Sequence, residues 1–166
     1  MNGIKSALLT GLLLVVGGVN TYAADVDITV NGRVVAKPCT VSTPPAAVIL
    51  EELFAPDFAQ AGSTSGWHNV MLNLTNCPVG TSSVTATFTG AADDTGYYAN
   101  QGDALNLQVE LRDANENILN NGNSTMVKVD DSQSINLLLH LRVLSVKGNA
   151  TQGSIQVNIN VAYTYS

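Results

Sequence analysis

The sequence predicts an all-β sandwich or barrel. Three observations carry that prediction. Apolar and polar residues alternate with a period of two in one short segment after another. Gly, Asn, Asp and Pro cluster between those segments, where turns are expected. No stretch keeps a helical period over three turns.

The first alternating segment is Val26 to Val34. Val26, Ile28, Val30, Gly32 and Val34 share one face, and Asp27, Thr29, Asn31 and Arg33 share the other. The unbroken alternation favours one long strand over two short ones turned at Asn31-Gly32. Pro38 stops it, just before Cys39. Residues 40–50 suit another strand, interrupted at Pro44-Pro45, and residues 51–58 are ambiguous. Residues 60–66 are a loop of small residues. Val70, Leu72 and Leu74 lead a strand up to Cys77, and residues 76–80 read as its closing turn.

Val84, Ala86 and Phe88 mark the next strand, and residues 90–103 read as a loop. Leu105, Leu107, Val109 and Leu111 form another alternating face. Residues 113–124 suit turns, and Val127 and Val129 suit a short strand. Ile135, Leu137, Leu139, Leu141 and Val143 give a strong strand pattern, followed by a turn at residues 148–153. Ile155 to Tyr165 alternate to the end of the sequence. The most regular patterns therefore lie at the two ends. The first could be an ordinary first strand, or an arm that completes another domain. A bare apolar face on a free arm is costly in water, so an arm needs a partner.

Before this lies a secretory signal. Lys5 supplies the positive start, residues 7–19 are apolar apart from Thr10, and Thr21 and Ala23 precede a cleavage site. That apolar run is too short to span a bilayer, which takes about 20 residues. Removing residues 1–23 leaves residues 24–166 as the mature chain, enough for one domain. Export also takes away Lys5, leaving six basic against thirteen acidic residues. Nucleic acid is therefore excluded as a partner, since it requires clustered positive charge.

Two cysteines behind an export signal imply one disulfide, Cys39 to Cys77. A crosslink closing a loop of that length contributes about 3–4 kcal/mol by limiting the unfolded chain. A free catalytic cysteine is the alternative, but neither has a nearby His or basic cluster to activate it.

Other chemistry is sparse, and an enzyme is not expected. His68 and His140 are far apart in the sequence. Asp93-Asp94 and Asp130-Asp131 lack the spacing of a calcium loop, so neither a metal nor a cofactor is expected. No Gly-x-Ser-x-Gly elbow appears. Trp67 and Tyr97-Tyr98 could form a sugar platform, but packing or subunit contact is the expected role. Asn73, Asn123 and Asn149 match the N-glycosylation pattern.

Three stretches carry a resemblance over the whole mature chain: ADVDITVNGRVVAKPCTV (24–41), LNLTNCPVGTSSVTATFTGAADDTGYY (72–98) and TQGSIQVNINVAYTYS (151–166). Together they resemble the minor pilins of type 1 fimbriae, assembled by the chaperone–usher pathway, and among them the G-type adaptor subunits of the fimbrial tip. Such proteins are bacterial, so the glycosylation matches read as chance.

The resemblance implies an incomplete immunoglobulin-like β-sandwich, a pilin domain lacking its last strand, over residues 38–166. It implies an N-terminal donor-strand extension over residues 24–37. Val26, Ile28, Val30, Gly32 and Val34 would face a neighbour's groove, with Gly32 where no side chain fits. Cys39 and Cys77 match the family disulfide. Tyr165 matches a penultimate aromatic, and the Ser166 carboxylate would be held by basic residues of a periplasmic pilus chaperone. The other implied partners are an outer-membrane usher and neighbouring fimbrial subunits, including a tip adhesin. The protein would pass through the periplasm to the cell surface. The alternative function is a carbohydrate-binding or adhesive module, but an adhesin of this family needs a second full domain, for which the mature chain leaves no space.

Overall fold

The computed structural model describes residues 29–34, 37–43 and 48–166. The chain divides after Arg33. Of the expected arm face, Val26 and Ile28 lie outside the described residues, as do the signal segment and Pro44-Pro45. Thr29–Val34 form no strand, against the single long strand expected over residues 26–34, and their side chains are exposed. The physical reason is that a lone extended segment has nothing to satisfy its backbone ladder.

The second unit, residues 34–166, holds nine strands among the described residues. They are β1 (Thr40–Val41), β2 (Ser63–Thr64), β3 (His68–Thr75), β4 (Ser83–Gly90), β5 (Tyr98–Ala99), β6 (Gln108–Asp113), β7 (Ser124–Lys128), β8 (Ile135–Ser145) and β9 (Ile159–Tyr165). One sheet runs β1-β3-β8-β6-β5, with β2 also bonded to β8. The other runs β7-β4-β9. All neighbours are antiparallel. The ambiguous segment before residue 59 contains a short 3-10 turn, Ala55–Phe58, opened by Pro56 and anchored by buried Phe58.

The alternation read from the sequence sets the inward faces. Leu74 of β3, Val84, Ala86 and Phe88 of β4, Val109 and Leu111 of β6, and Ile135, Leu137, Leu139 and Val143 of β8 form the core between the sheets. Cys39 and Cys77 are bonded, both buried, and tie the approach to β1 to the end of β3. Asn76 turns the chain out of β3 with a φ of 53°, and Gly80 completes the turn at 97°.

Further expectations are corrected: among the described residues, strand within residues 40–50 is limited to β1, and the loop expected over residues 60–66 contains β2. The run Leu105 to Leu111 is not one strand. Asn106 takes a left-handed φ of 60°, which breaks the extended run, and Leu105 is exposed. The strand begins at Gln108. The loop expected over residues 90–103 contains β5, whose two residues are too few to show a period. Tyr98 of β5 is fully buried, and its hydroxyl donates to the Leu119 carbonyl at 2.8 Å. Burial pushes its phenol up to about 12.

Candidate functional site: an open apolar groove

A closed sandwich buries both inner faces. Here they are left partly open. Ile155, Val157, Ile159, Val161, Tyr163 and Tyr165 pack against the core yet stay half-exposed, as do Val70 and Leu72 of β3 and Leu141 of β8. Between them lies a groove of about 570 Å³. Its floor is Phe88, Val109, Leu111 and Leu139, all buried. One wall is the run Ile155 to Tyr163; the other is Val41, Val48, Leu50, Val70 and Leu72. Among the described lining residues Tyr163 alone is ionisable, and its phenol is pushed up by burial and then by neighbouring Tyr165. Burial likewise raises Tyr165.

The backbone of β9 gives the groove its chemistry. Ser83 and Ser166 exchange both backbone hydrogen bonds, at 3.1 Å each way. In an antiparallel ladder such pairs recur every second residue. Asn160, Ala162 and Thr164 therefore spend their N–H and C=O groups on β4, in register with Thr89, Thr87 and Thr85. Ile159, Val161, Tyr163 and Tyr165 point theirs the other way, and β9 is the edge of its sheet. The pattern continues upstream: Gln156 bonds to Asn100 and Gln101, and the Ser154 carbonyl accepts from Ala104. The same odd-numbered residues thus offer apolar side chains to the groove and unpaired backbone groups along its rim. One extended strand with alternating apolar residues would satisfy both.

The remaining expected residues fall as follows. Val30 and Val34 are exposed, and an added side chain at Gly32 would meet nothing within 4 Å. Tyr165 ends β9. The Ser166 carbonyl oxygen accepts from the N–H of Ser82 at 2.7 Å and of Ser83, which locks the end of β9 onto the start of β4. In the acidic pairs, Asp93, Asp94 and Asp130 have partners within the fold. Asp93 accepts from Thr95 and from Gln108 at 2.9 Å, and Asp130 accepts from Ser132 and Ser134. Asp94 pairs with Lys147 at 2.8 Å, whose hydrogen bond and charge lower its carboxyl. No group of three metal-ligating side chains gathers among the described residues. Tyr98 and Trp67 do not form a shared platform: Tyr98 is interior and Trp67 is partly exposed. The groove floor was the set that sequence reading missed. Its signal was present in the inward residues of three separate strands, β4, β6 and β8, but nothing in their periodicity said that they share one opening.

Two incomplete sheets around an apolar groove, with an unpaired edge beside it, define an open immunoglobulin-like sandwich of the pilin kind. Residues 28–165 match the fimbrial protein family, and the chain belongs to it. It is 54% identical to protein FimG of Escherichia coli strain K12, over the full length of both chains. It is also 54% identical to the uncharacterised fimbrial-like protein YdeR of that strain, over 86% of each. The crystal structure of the P pilus rod subunit PapA has the same fold: TM-score 0.64, 19% identity, covering 78% of this chain and all of that one. The chain is accordingly a secreted structural protein of surface fimbriae, not an enzyme.

Proposed function

We propose that this chain is an adaptor subunit of a fimbrial tip, linking the tip adhesin to the rest of the fimbria by strand exchange. Its groove takes a strand from the next subunit. Its residues 24–37, with Val26, Ile28, Val30, Gly32 and Val34 on one face, complete the groove of the subunit before it. Before assembly, a periplasmic chaperone fills the groove and holds the chain near Tyr165 and Ser166, and an outer-membrane usher exchanges the strands. Residues 1–23 direct export and are removed.

The observation that carries this reading is the groove beside the unpaired edge of β9. Each apolar donor side chain fully buried there would contribute about 1.5–3 kcal/mol. The exposure of Val30 and Val34 supports the arm reading, because apolar side chains left in water favour a partner that covers them. The adaptor role rests on the resemblance of the three quoted stretches to tip adaptors.

Deleting residues 24–36 tests it. The truncated chain should form a chaperone complex with an unchanged far-UV circular dichroism spectrum. It should no longer join the preceding subunit. Loss of folding on truncation would make residues 24–36 an ordinary first strand instead.

A further inference from the structure

The outward face of the larger sheet holds a second arrangement. Glu110 projects from that face of β6 yet is fully buried. Two guanidiniums cover it: Arg112 Nε donates to Oε1 at 2.7 Å, and Arg142 Nε donates to Oε2 at 2.7 Å. Register puts Arg142 beside Glu110, and His140 between Arg112 and Asn69. Both guanidiniums also lie against Trp67, 5.1 Å (Arg112) and 4.4 Å (Arg142) from the ring centroid. The indole remains 42% exposed.

We propose that Trp67, Arg112, Arg142 and His140 bind a carboxylate-bearing saccharide. One carboxylate against two guanidiniums leaves a positive charge, on a chain whose net charge is −6. A guanidinium has five N–H donors, and Glu110 takes Nε and Nη2 of Arg112 and Nε of Arg142, which leaves further donors on each. The arginine side chains stay 25% and 23% exposed. A ligand carboxylate fits such a fork with two parallel hydrogen bonds. The ring that bears it would pack on the exposed part of Trp67. His140 Nδ1 lies 2.7 Å from Asn69 Oδ1, which leaves Nε2 for a sugar hydroxyl.

A protein partner fits this face less well. A stable interface needs about 800 Å² on each side, with an apolar centre. Around Trp67 the outward residues are Asn69, Asn73 and Asn136, with Met71 and Leu138 the apolar members. The site faces away from the groove, so its failure would leave the strand-exchange reading intact.

Trp67 is the single tryptophan of the chain, so its emission reports on the site directly. The full chain is titrated with glucuronic acid and N-acetylneuraminic acid, and in parallel with glucose, acetate and a Glu-containing tripeptide. At least one sugar acid should shift the emission saturably. Glucose should not, and acetate and the tripeptide should bind at least about tenfold more weakly. Arg142→Gln should weaken sugar-acid binding by about tenfold or more. Because that change also bares Glu110, Arg142→Lys is tested beside it, with circular dichroism confirming the fold. It keeps a charge on Glu110 but lacks the fork, and should also bind weakly. No saturable response to either sugar acid overturns the proposal. So does glucose, acetate or the tripeptide matching the acids, or unchanged binding by both Arg142 variants.

Discussion

At the scale of single residues, Asp113 shows how a buried charge is kept. It is 3% exposed at the end of β6. Burial pushes its carboxyl up, but hydrogen bonds from Asn117, Thr125 and Asn115 together outweigh that and lower it from 3.8. A depressed folded value means stability that is fully present above the unfolded value and lost as pH falls through the folded one. Asp113→Ala should therefore cost about 1–3 kcal/mol at neutral pH, by stranding those donors. It should cost less in acid, where the native chain has already lost the contribution. Denaturant midpoints of both proteins at neutral and acid pH check this.

Under the proposed strand exchange, Gly32 would set the register of the arm. Its neighbours on the apolar face are all β-branched, so glycine weakens the strand unless the acceptor approaches closely there. Gly32→Val in a synthetic peptide of residues 24–37 should slow displacement of chaperone from an acceptor subunit, by an overpacking cost of about 1–3 kcal/mol. Asn31→Val faces away and should matter less. If the Gly32→Val peptide inserts at the normal rate and the Asn31→Val peptide is the slow one, the face is off by one residue. Glu110 marks where residue-level reading of the sequence fell short. It sits on the polar side of an alternating strand, the usual place for a solvated acid. Its burial depends on Arg142 of another strand, and on Trp67.

At the scale of elements, alternation was legible wherever a strand had one buried and one wet face. β3, β4 and β8 fall where the period put them, and β7 takes in Val127 but starts at Ser124 and ends before Val129. It failed where another force intervened. Asn106 broke the run from Leu105 to Leu111 by turning left-handed, and β6 buries both its faces because Gln108 and Glu110 have polar partners. The run from Ile155 is half strand. Its first part bonds to the loop Asn100–Ala104, mostly through side chains, since β4 ends at Gly90. β9 carries the consequence. Removing Asn160–Ser166 deletes Val161 and Tyr163 from one wall of the groove and bares the edge of β4. The truncated chain should yield no chaperone complex and should be degraded. A normal yield of co-purified complex would show that this wall is dispensable.

At the scale of the whole molecule, the second unit is a sandwich whose core is held open on one side, stapled by Cys39–Cys77. The opening was not legible from periodicity, because a strand that belongs to another chain leaves no trace in the sequence that lacks it. The central claim is that β9 waits for a strand along its free edge. Amide hydrogen exchange tests it most directly, comparing the isolated chain with the same chain captured by chaperone. Asn160, Ala162 and Thr164, bonded to β4, should be protected in both. Ile159, Val161, Tyr163 and Tyr165 should exchange rapidly in the isolated chain and become protected on capture. If these four are protected already, or stay unprotected after capture, the groove does not take a strand and the account is wrong.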